Sequence, residues 1–367
     1  MISKPSVILL ILKISYSKGF NMNIKPIKSF KLAFCTALML ATSASAMAED
    51  VTIGYQGMFN PWKYAIAEKL IEKETGKTIS WRRFDSGAKA MTAVASGDID
   101  ITVAGSSPIA AAVSRGIDIE LVWILENIAN AEALVVRNGS NINSPSDLKG
   151  KRLAVPFVST THFHTLFALH EFGLTEKDVK VLNMQPSAIN SAWKRGDIDG
   201  AFIWDPVLGE IKKDGKVLIS SATLGSWGKP TFDGLVVSKK FSKNNADFVT
   251  SMIAIIAAVD ESYRQNAETI TTANPIVKAI AKLSGGNAEG VISAASLYKF
   301  PTITEQTSCE WLGCGKEGKA AKALLFTSEF LKSQKKIRKL QKDYSLFVNP
   351  TYAVAASKKA YVLKAGM

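Results

Sequence analysis

Residues 97–108 read GDIDITVAGSSP, and residues 196–206 read GDIDGAFIWDP. In each copy the tetrapeptide GDID follows a helical pattern, at residues 88–96 and 188–195, and precedes a short apolar strand. The glycine that opens each copy is suited to end a helix in the left-handed conformation. A four-residue repeat can arise by chance, but the matching context on both sides favours two related α/β halves.

Both predicted strands, at residues 101–104 and 201–203, end in loops with polar or aromatic side chains. The side chains that stand out in these loops are Ser106, Ser107, Trp204 and Asp205. In open α/β sheets, ligands bind beyond the carboxyl ends of the strands. Two such loops, one in each half, predict a ligand cleft between the halves.

The 319 residues after residue 48 exceed what one hydrophobic core usually supports, so two domains are expected. Short apolar strands alternate with longer helical patterns, which indicates α/β architecture. A second pair of similar segments, EALVVR at residues 132–137 and DGLVVS at residues 233–238, is interpreted as two hinge strands between the domains. The expected limits are residues 49–136 plus 237–367 for domain 1 and residues 137–236 for domain 2.

Residues 1–48 have the features of a cleavable export signal. They contain six lysines and no acid, an apolar stretch at residues 32–41, and small residues at residues 44–48. The apolar stretch is shorter than the roughly twenty residues that span a bilayer. We therefore expect a secreted protein, with Met22 as an alternative translation start.

The basic charge of the chain comes partly from this signal. The formal charge is +13 for the whole chain and falls to +7 without the six lysines of residues 1–48. No arginine-rich helix interleaved with aromatic residues and no zinc-finger spacing is present. The sequence therefore does not indicate nucleic-acid binding.

Two cysteines, Cys309 and Cys314, follow the signal and stand close together in the sequence. Such a pair can form a small local disulfide in an oxidising compartment, and two free thiols are the alternative. The two-residue spacing of a redox-active pair is absent.

Two loop-to-helix junctions have the composition of anion sites. In the first, Ser106 and Ser107 suit a helix cap and Pro108 suits the first helical turn. In the second, residues 159–162 read STTH and precede a helical pattern at residues 163–172. Helix starts expose backbone N–H groups and carry partial positive charge. Each start alone could be an ordinary cap, but one in each predicted domain favours an anionic ligand.

Three acids lie where the predicted hinge strands or the cleft strand begin or end. These are Glu132, Asp205 and Asp233. A carboxylate at such a position could form a charge-assisted hydrogen bond with a ligand ammonium. A solvent-exposed acid is the alternative for each position taken alone.

The sequence contains no recognisable catalytic or metal-binding motif. His162, His164 and His170 lie within nine residues, but on one helix their spacing places His164 on the opposite side from the other two. The sequence lacks a GxSxG nucleophile elbow, a GxGxxG turn and a phosphate-binding loop. We therefore expect no metal, no cofactor and no catalytic residue.

Many ordered segments between residues 51 and 237 resemble the nitrate/sulfonate/taurine family of ABC-transporter substrate-binding proteins, and taurine-binding members in particular. The segments are residues 54–56, 84–88, 95–98, 105–108, 132–136, 154–157, 159–162, 185–186, 195–200 and 227–228. The resemblance implies a bilobal class II periplasmic binding protein that closes by hinge motion. It also implies a monomer in the periplasm that delivers its ligand to an ABC permease.

The resemblance assigns roles to particular residues. It places Gln56, Ser106, Ser107, Thr160, Thr161 and His162 around a sulfonate, and Glu132 and Asp233 near an amine. Trp204-Asp205-Pro206 is instead more similar to alkanesulfonate-binding proteins. Alkanesulfonate, nitrate or a thiamine precursor therefore remain alternative ligands to taurine, and a desulfinase-like enzyme on the same fold remains an alternative function.

Overall fold

The structure, a computed structural model, describes residues 51–359 and 361–363. The predicted export signal at residues 1–48, with its alternative start at Met22, lies outside these residues. Within the described ranges, no helix combines the length and apolar character needed to cross a membrane.

Ten strands form two five-stranded sheets. They are β1 (Val51–Tyr55), β2 (Ile79–Arg83), β3 (Ile101–Gly105), β4 (Ile119–Asn127), β5 (Glu132–Arg137), β6 (Arg152–Val155), β7 (Lys180–Asn183), β8 (Gly200–Trp204), β9 (Gly215–Ser220) and β10 (Phe232–Ser238). The first sheet has the order β2-β1-β3-β10-β4, and the second has the order β7-β6-β8-β5-β9. The predicted α/β class with two domains is confirmed.

The two sheets share one plan. Each contains three parallel strands followed by an antiparallel strand, which is β10 in the first sheet and β5 in the second. The strands that follow the two GDID copies, β3 and β8, occupy the same place and are buried throughout. The repeat in the sequence therefore corresponds to equivalent positions in two related sheets.

The two segments interpreted as hinge strands do not cross between the sheets. All of β5 lies in the second sheet and all of β10 lies in the first. The chain passes between the sheets just before each of them, at residues 128–131 and 227–231. Their Leu-Val-Val runs are buried on both faces, as interior strands require. These crossings correct the positions expected at residues 136/137 and 236/237.

Fifteen α-helices surround the sheets within the described residues. They are α1 (Lys63–Ala67), α2 (Leu70–Thr75), α3 (Gly87–Ser96), α4 (Ser106–Ser114), α5 (Thr160–Glu171), α6 (Pro186–Arg195), α7 (Val207–Ile211), α8 (Ser221–Ser226), α9 (Lys239–Asn244), α10 (Ala246–Gln265), α11 (Pro275–Ser284), α12 (Ala288–Ala294), α13 (Ile303–Thr307), α14 (Lys319–Ser333) and α15 (Thr351–Ser357). Short 3-10 turns lie at Pro145–Leu148, Ala295–Leu297, Gly315–Glu317 and Tyr344–Phe347.

The helices before the GDID copies end as their sequences predict. Gly97 follows α3 with φ of 80°, and Gly196 follows α6 with φ of 79°. Only glycine adopts this conformation without a steric cost. Both glycines therefore turn the chain sharply from a helix into the strand whose end faces the cleft.

The C-terminal part of the chain returns to the first sheet. The side chain of Gln306 accepts a hydrogen bond from the backbone N–H of Ile124 at 3.0 Å and donates one to its carbonyl oxygen at 2.5 Å. A disulfide joins Cys309 and Cys314. Within the loop that it closes, the Trp311 ring packs edge-on against Phe232, with 5.9 Å between the ring centroids. This segment thus supports β4 and β10 from behind the cleft.

Candidate functional site

A small cavity lies between the two sheets. Its lining comes from strand ends, helix starts and one crossing segment: Gln56, Met58, Gly87, Gly105, Pro108, Ile128, Ala131, Glu132, Ser159, Thr160, Trp204, Asp233 and Tyr298. Five of the ten predicted ligand residues are among them, namely Gln56, Glu132, Thr160, Trp204 and Asp233. The cavity therefore lies at the cleft that the two strand-end loops predict.

The start of α4 forms one wall of the cavity. Gly105 caps the helix, so Ser106 and Ser107 are its first two residues and not its cap. Both serines are fully buried, and neither hydroxyl has a hydrogen-bond partner among the described residues. Their neighbours Gly105 and Pro108 line the cavity. A buried hydroxyl without a partner is costly, and an anion at this helix start would supply acceptors for both.

The start of α5 faces α4 from the second lobe. Ser159 caps the helix and accepts a hydrogen bond from the backbone N–H of His162 at 3.0 Å. The hydroxyl of Thr160 donates to Glu132 Oε1 at 2.5 Å. The predicted helix began at residue 163, and the observed helix begins three residues earlier. Thr160 and its backbone N–H therefore belong to the first turn, which lines the cavity.

Thr161 and His162 do not line the cavity. The Thr161 hydroxyl lies 2.7 Å from that of Ser159. His162 Nδ1 accepts a hydrogen bond from the backbone N–H of Val158 at 3.1 Å, and its ring stacks on Phe157 with 4.3 Å between the centroids. Burial, with a smaller effect of Lys336, lowers the pKa of His162 to about 4. Both side chains hold the turn before α5 in shape.

The close contact between the two lobes depends on Gly105. A Cβ atom built on this residue would lie 2.6 Å from Thr160 Cγ2 and 3.3 Å from Asp233 Oδ1. Cβ atoms in proteins essentially never lie closer than 3.0 Å to such a neighbour, so the 2.6 Å contact with Thr160 would force one of the two groups to move. The absence of a side chain at residue 105 therefore lets the two helix starts and Asp233 meet around one small volume.

Two buried carboxyl groups lie on the cavity wall. Burial raises the pKa of Glu132 to about 8, and the nearby Asp233 adds to the shift. Burial also raises the pKa of Asp233 to about 7, against the opposing effects of Glu126 and Lys63. The Ser221 hydroxyl lies 3.3 Å from Glu132 Oε2. Without a cationic ligand, such buried carboxyl groups favour the protonated form.

Asp205 is separated from its neighbour Trp204 in the structure. Trp204 lines the cavity, whereas Asp205 lines an adjacent groove together with Phe59 and Gly286. Its Oδ1 accepts a hydrogen bond from the backbone N–H of Gly209 at 2.9 Å, which stabilises α7. Burial raises the pKa of Asp205 to about 6. Trp204 is the last residue of β8 and Asp205 lies in the turn before α7, so the two side chains line different spaces.

Sequence reasoning missed a buried polar set behind Asp233. Lys63 Nζ donates to Asn60 Oδ1 at 2.7 Å and to the carbonyl oxygen of Met58 at 2.5 Å. Asn60 Nδ2 donates to Glu126 at 3.3 and 3.5 Å. Glu126 lies opposite Asp233 in the pairing of β4 with β10. The segment FNPWK at residues 59–63 lies in the loop and helix start that follow β1, and this position was the available signal.

The three histidines do not converge. His164 is held by Ser221 and by the carbonyl oxygen of Lys229, and His170 is exposed beside Glu171. Among the described residues, no three His, Cys, Asp or Glu side chains are grouped as a metal ion would require.

Known proteins are similar to this chain in sequence and in fold. The profile of a family described as NMT1/THI5 like matches residues 84–269. The chain is 39% identical over 310 residues to the taurine-binding periplasmic protein of Escherichia coli K12, which covers 84% of this chain and 93% of that protein.

Two solved structures share the fold. The alkanesulfonate-binding protein SsuA of Xanthomonas axonopodis pv. citri has a TM-score of 0.65 at 22% identity, covering 82% of this chain and 96% of that one. The aliphatic sulphonate binding protein SsuA of E. coli also has a TM-score of 0.65 at 22% identity, covering 83% of this chain and 98% of that one. These matches confirm the resemblance that the sequence motifs carry, and the chain belongs to the NMT1/THI5-like family.

Proposed function

We propose that this protein captures taurine or a related aminosulfonate in the cleft and delivers it to the permease of an ABC importer. The observation that carries the proposal is that one cavity is lined both by helix starts and by buried carboxyl groups. The helix starts with hydroxyl-bearing residues, around Ser107 and Thr160, form what we call the anion end. The carboxyl groups of Glu132 and Asp233 form the amine end, which adjoins it, since the Thr160 hydroxyl donates to Glu132 at 2.5 Å.

The chemistry of an aminosulfonate matches this division. A sulfonate presents three acceptor oxygens, which suit backbone N–H groups and hydroxyls at helix starts. An ammonium presents three donors, which suit paired carboxylates. The high identity to a relative named for taurine binding supports the same ligand class. The protein acts in the periplasm as a monomer without a cofactor, and no bond in the ligand is broken.

Closure follows from the position of the site between the lobes. Glu132 and Thr160 belong to the second lobe, and Gln56, Ser107 and Asp233 belong to the first. A ligand that contacts both sets binds the closed form more tightly than the open form. It therefore shifts the population toward the closed form, which is the form a permease would recognise.

The test is a calorimetric titration of residues 49–367 with taurine, ethanesulfonate and nitrate. We expect taurine to bind near 1 μM, which corresponds to about −8 kcal/mol. Ethanesulfonate is the matched ligand, since it keeps the sulfonate and lacks the amine. Tighter binding of ethanesulfonate or nitrate than of taurine would contradict the amine site, and turnover of recovered taurine would contradict a role in binding alone.

The variant Asp233→Asn tests the amine end separately. It keeps the size of the side chain and removes the charge that faces the ligand ammonium. A hydrogen bond to a charged group contributes about 1.5 to 3 kcal/mol, so taurine affinity should fall by roughly 10- to 100-fold. Residual ethanesulfonate binding should stay the same. An equal loss for both ligands would show that Asp233 supports the fold of the site and does not select the amine.

A further inference from the structure

Glu126 and Asp233 form a buried carboxyl pair at the amine end of the cavity. They are direct partners across β4 and β10, with Glu126 fully buried and Asp233 8% exposed. Their side chains are hydrogen-bonded to each other. Ionised carboxylates are acceptors only, so a hydrogen bond between two of them requires a proton. The pair therefore shares one proton in the absence of a ligand.

The Glu126 carboxyl group also accepts hydrogen bonds from the Asn60 amide nitrogen. Asn60 Oδ1 accepts from the Lys63 ammonium, so its amide nitrogen must point to Glu126. The Lys63 charge thus reaches Glu126 through an intervening amide. Lys63 therefore stabilises the charge of the pair from behind without a hydrogen bond to either carboxyl group, and the shared proton lies between the two acids.

Glu132, the second acid at this end, is linked to His164 through the Ser221 hydroxyl. His164 Nε2 lies 2.8 Å from the carbonyl oxygen of Lys229, which can only accept, so this nitrogen carries the ring proton. Burial lowers the pKa of His164 to about 4, so the ring is neutral and Nδ1 accepts from the Ser221 hydroxyl at 2.7 Å. Ser221 also contacts Glu132 Oε2, at the longer distance of 3.3 Å. Burial, with a further contribution from Asp233, raises the pKa of Glu132 to about 8, which favours a protonated Glu132 at pH 7 in the ligand-free protein.

We propose that this end of the cavity is a proton-exchanging amine site, in which Glu126 is a specificity-determining partner of Asp233 and a ligand ammonium replaces protons held by Glu126–Asp233 and by Glu132. This proposal rests on the proposed function, because it concerns how the same site recognises an amine. The titratable groups around this end are Lys63 with Arg83 behind it, Glu126, Glu132, His164, Asp233 and Tyr298, with Asp205 in the adjacent groove.

The exchange is balanced as follows. The ligand enters as an ammonium and donates its N–H groups to Glu132 and Asp233. Carboxyl protons then leave to the solvent, because a carboxylate that accepts from a cation has a lower pKa than one that does not. The net charge of this end changes little, since a cation enters as protons leave. An uncharged amine substitute, such as an alcohol, would displace no proton.

Titration calorimetry of taurine at pH 7 in buffers with different ionisation enthalpies tests the exchange. The slope of the observed enthalpy against the buffer enthalpy gives the number of protons released, which we expect to be on the order of one per taurine. Taurine binding with no buffer dependence would overturn the proposal and leave the proposed function intact. A lack of taurine binding would instead contradict the proposed function.

A second measurement needs no ligand. Infrared spectra of the ligand-free protein at pH 7 should show a protonated carboxyl band that weakens in Glu126→Gln, because glutamine can donate to Asp233 without a shared proton. The same variant should release fewer protons on taurine binding. Asp260→Asn is the matched control, since Asp260 is a buried acid on α10 whose pKa burial raises to about 8 and which does not line the cavity. Loss of the same band in Asp260→Asn alone would overturn the assignment to Glu126.

Discussion

At the scale of single residues, the site is a set of buried polar groups that the protein itself leaves partly unsatisfied. The hydroxyls of Ser106 and Ser107 have no partner among the described residues, and Glu132 and Asp233 are buried with raised pKa values. Each feature costs stability in the ligand-free protein. Each is relieved by a ligand that carries an anion at one end and a cation at the other.

Replacing Ser107 by alanine should therefore have opposite effects on stability and on binding. Removing an unpartnered hydroxyl should leave the ligand-free melting temperature unchanged or slightly higher. The same change should weaken taurine and ethanesulfonate alike, by roughly 5- to 10-fold, since one hydrogen bond contributes about 1 kcal/mol. Thermal melting and calorimetry measure the two quantities on the same sample.

Ser114→Ala is the matched control on the same helix. Its hydroxyl lies at the far end of α4, where it contacts Ser328 at 3.3 Å and Tyr344 at 2.9 Å. This variant should lose stability and keep its affinity. If Ser107→Ala also lost stability without loss of affinity, Ser107 would be a structural residue.

At the scale of elements, the two helix starts and the strands before them were largely predictable. The signals were local: glycines that end α3 and α6, serines and a proline at the start of α4, and STTH at the start of α5. The error at α5 was three residues, because hydroxyl-bearing residues suit both a cap and a first turn. Local chemistry therefore located the two helix starts that line the cavity.

The buried acids of the proposed amine end could be predicted only in part. Glu132 and Asp233 lie at or next to the first residue of their strands, which made them candidates. Glu126 lies inside a buried strand, where no local pattern distinguishes it. Its role depends on the pairing of β4 with β10, which are far apart in the chain. The roles of Asn60 and Lys63 depend in turn on Glu126. The chain forms the second lobe between β4 and β10, so these contacts arise only after it returns to the first sheet. The sequence of a single segment therefore cannot predict them.

The contact between α4 and α5 gives a prediction about closure. Gly105→Ala should weaken taurine binding, because its Cβ would meet Thr160 Cγ2 across the cleft. Its backbone φ of −68° is allowed for alanine, so the ligand-free protein should still fold. The double variant Gly105→Ala/Thr160→Ser removes the opposing methyl group and keeps the hydroxyl that donates to Glu132.

The double variant should recover part of the lost affinity. A coupling free energy between the two changes, measured by calorimetry on all four proteins of the cycle, would locate the clash across the cleft. Strict additivity would show that alanine at residue 105 acts within its own lobe.

The disulfide loop gives a second prediction at this scale. In the chain-entropy account, closing so short a loop stabilises the folded protein by about 2 kcal/mol. The variant Cys309→Ser/Cys314→Ser should therefore unfold at a lower denaturant concentration. Because Trp311 contacts Phe232, next to Asp233, a small loss of taurine affinity should accompany it. An unchanged unfolding midpoint would show that the bond contributes nothing to stability.

At the scale of the whole molecule, the buried acids tie stability, ligand binding and pH together. The folded pKa values of Glu132, Asp233 and Asp260, at about 8, 7 and 8, lie above those of an unfolded chain. When the folded pKa of an acid lies above its unfolded pKa, the unfolded state binds fewer protons than the folded state at any pH between these two values. The stability of the ligand-free protein should then fall as pH rises through that interval.

Other groups limit where this effect can be measured. The pKa values of His162 and His164 are lowered to about 4, so they add stability as pH rises up to about 6.5. Burial lowers the pKa of Lys63 to about 7, which offsets part of the loss above that pH. The fall in stability caused by the acids is therefore cleanest between about pH 6.5 and 7, and Lys63 reduces it between pH 7 and 8.

Taurine should reverse this loss. Its ammonium favours ionised Glu132 and Asp233, so its affinity should rise with pH across the same interval and level off once both acids are ionised. Stabilisation by a ligand follows its affinity and reaches about 2.7 kcal/mol at one hundred times the dissociation constant. At a fixed taurine concentration, the increase in melting temperature should thus be larger at pH 8 than at pH 6.5. Ethanesulfonate, which lacks the amine, should show no such increase with pH, because it gains nothing when the acids ionise. A shift of the same size at both pH values would mean that taurine binds without displacing a proton from the buried acids.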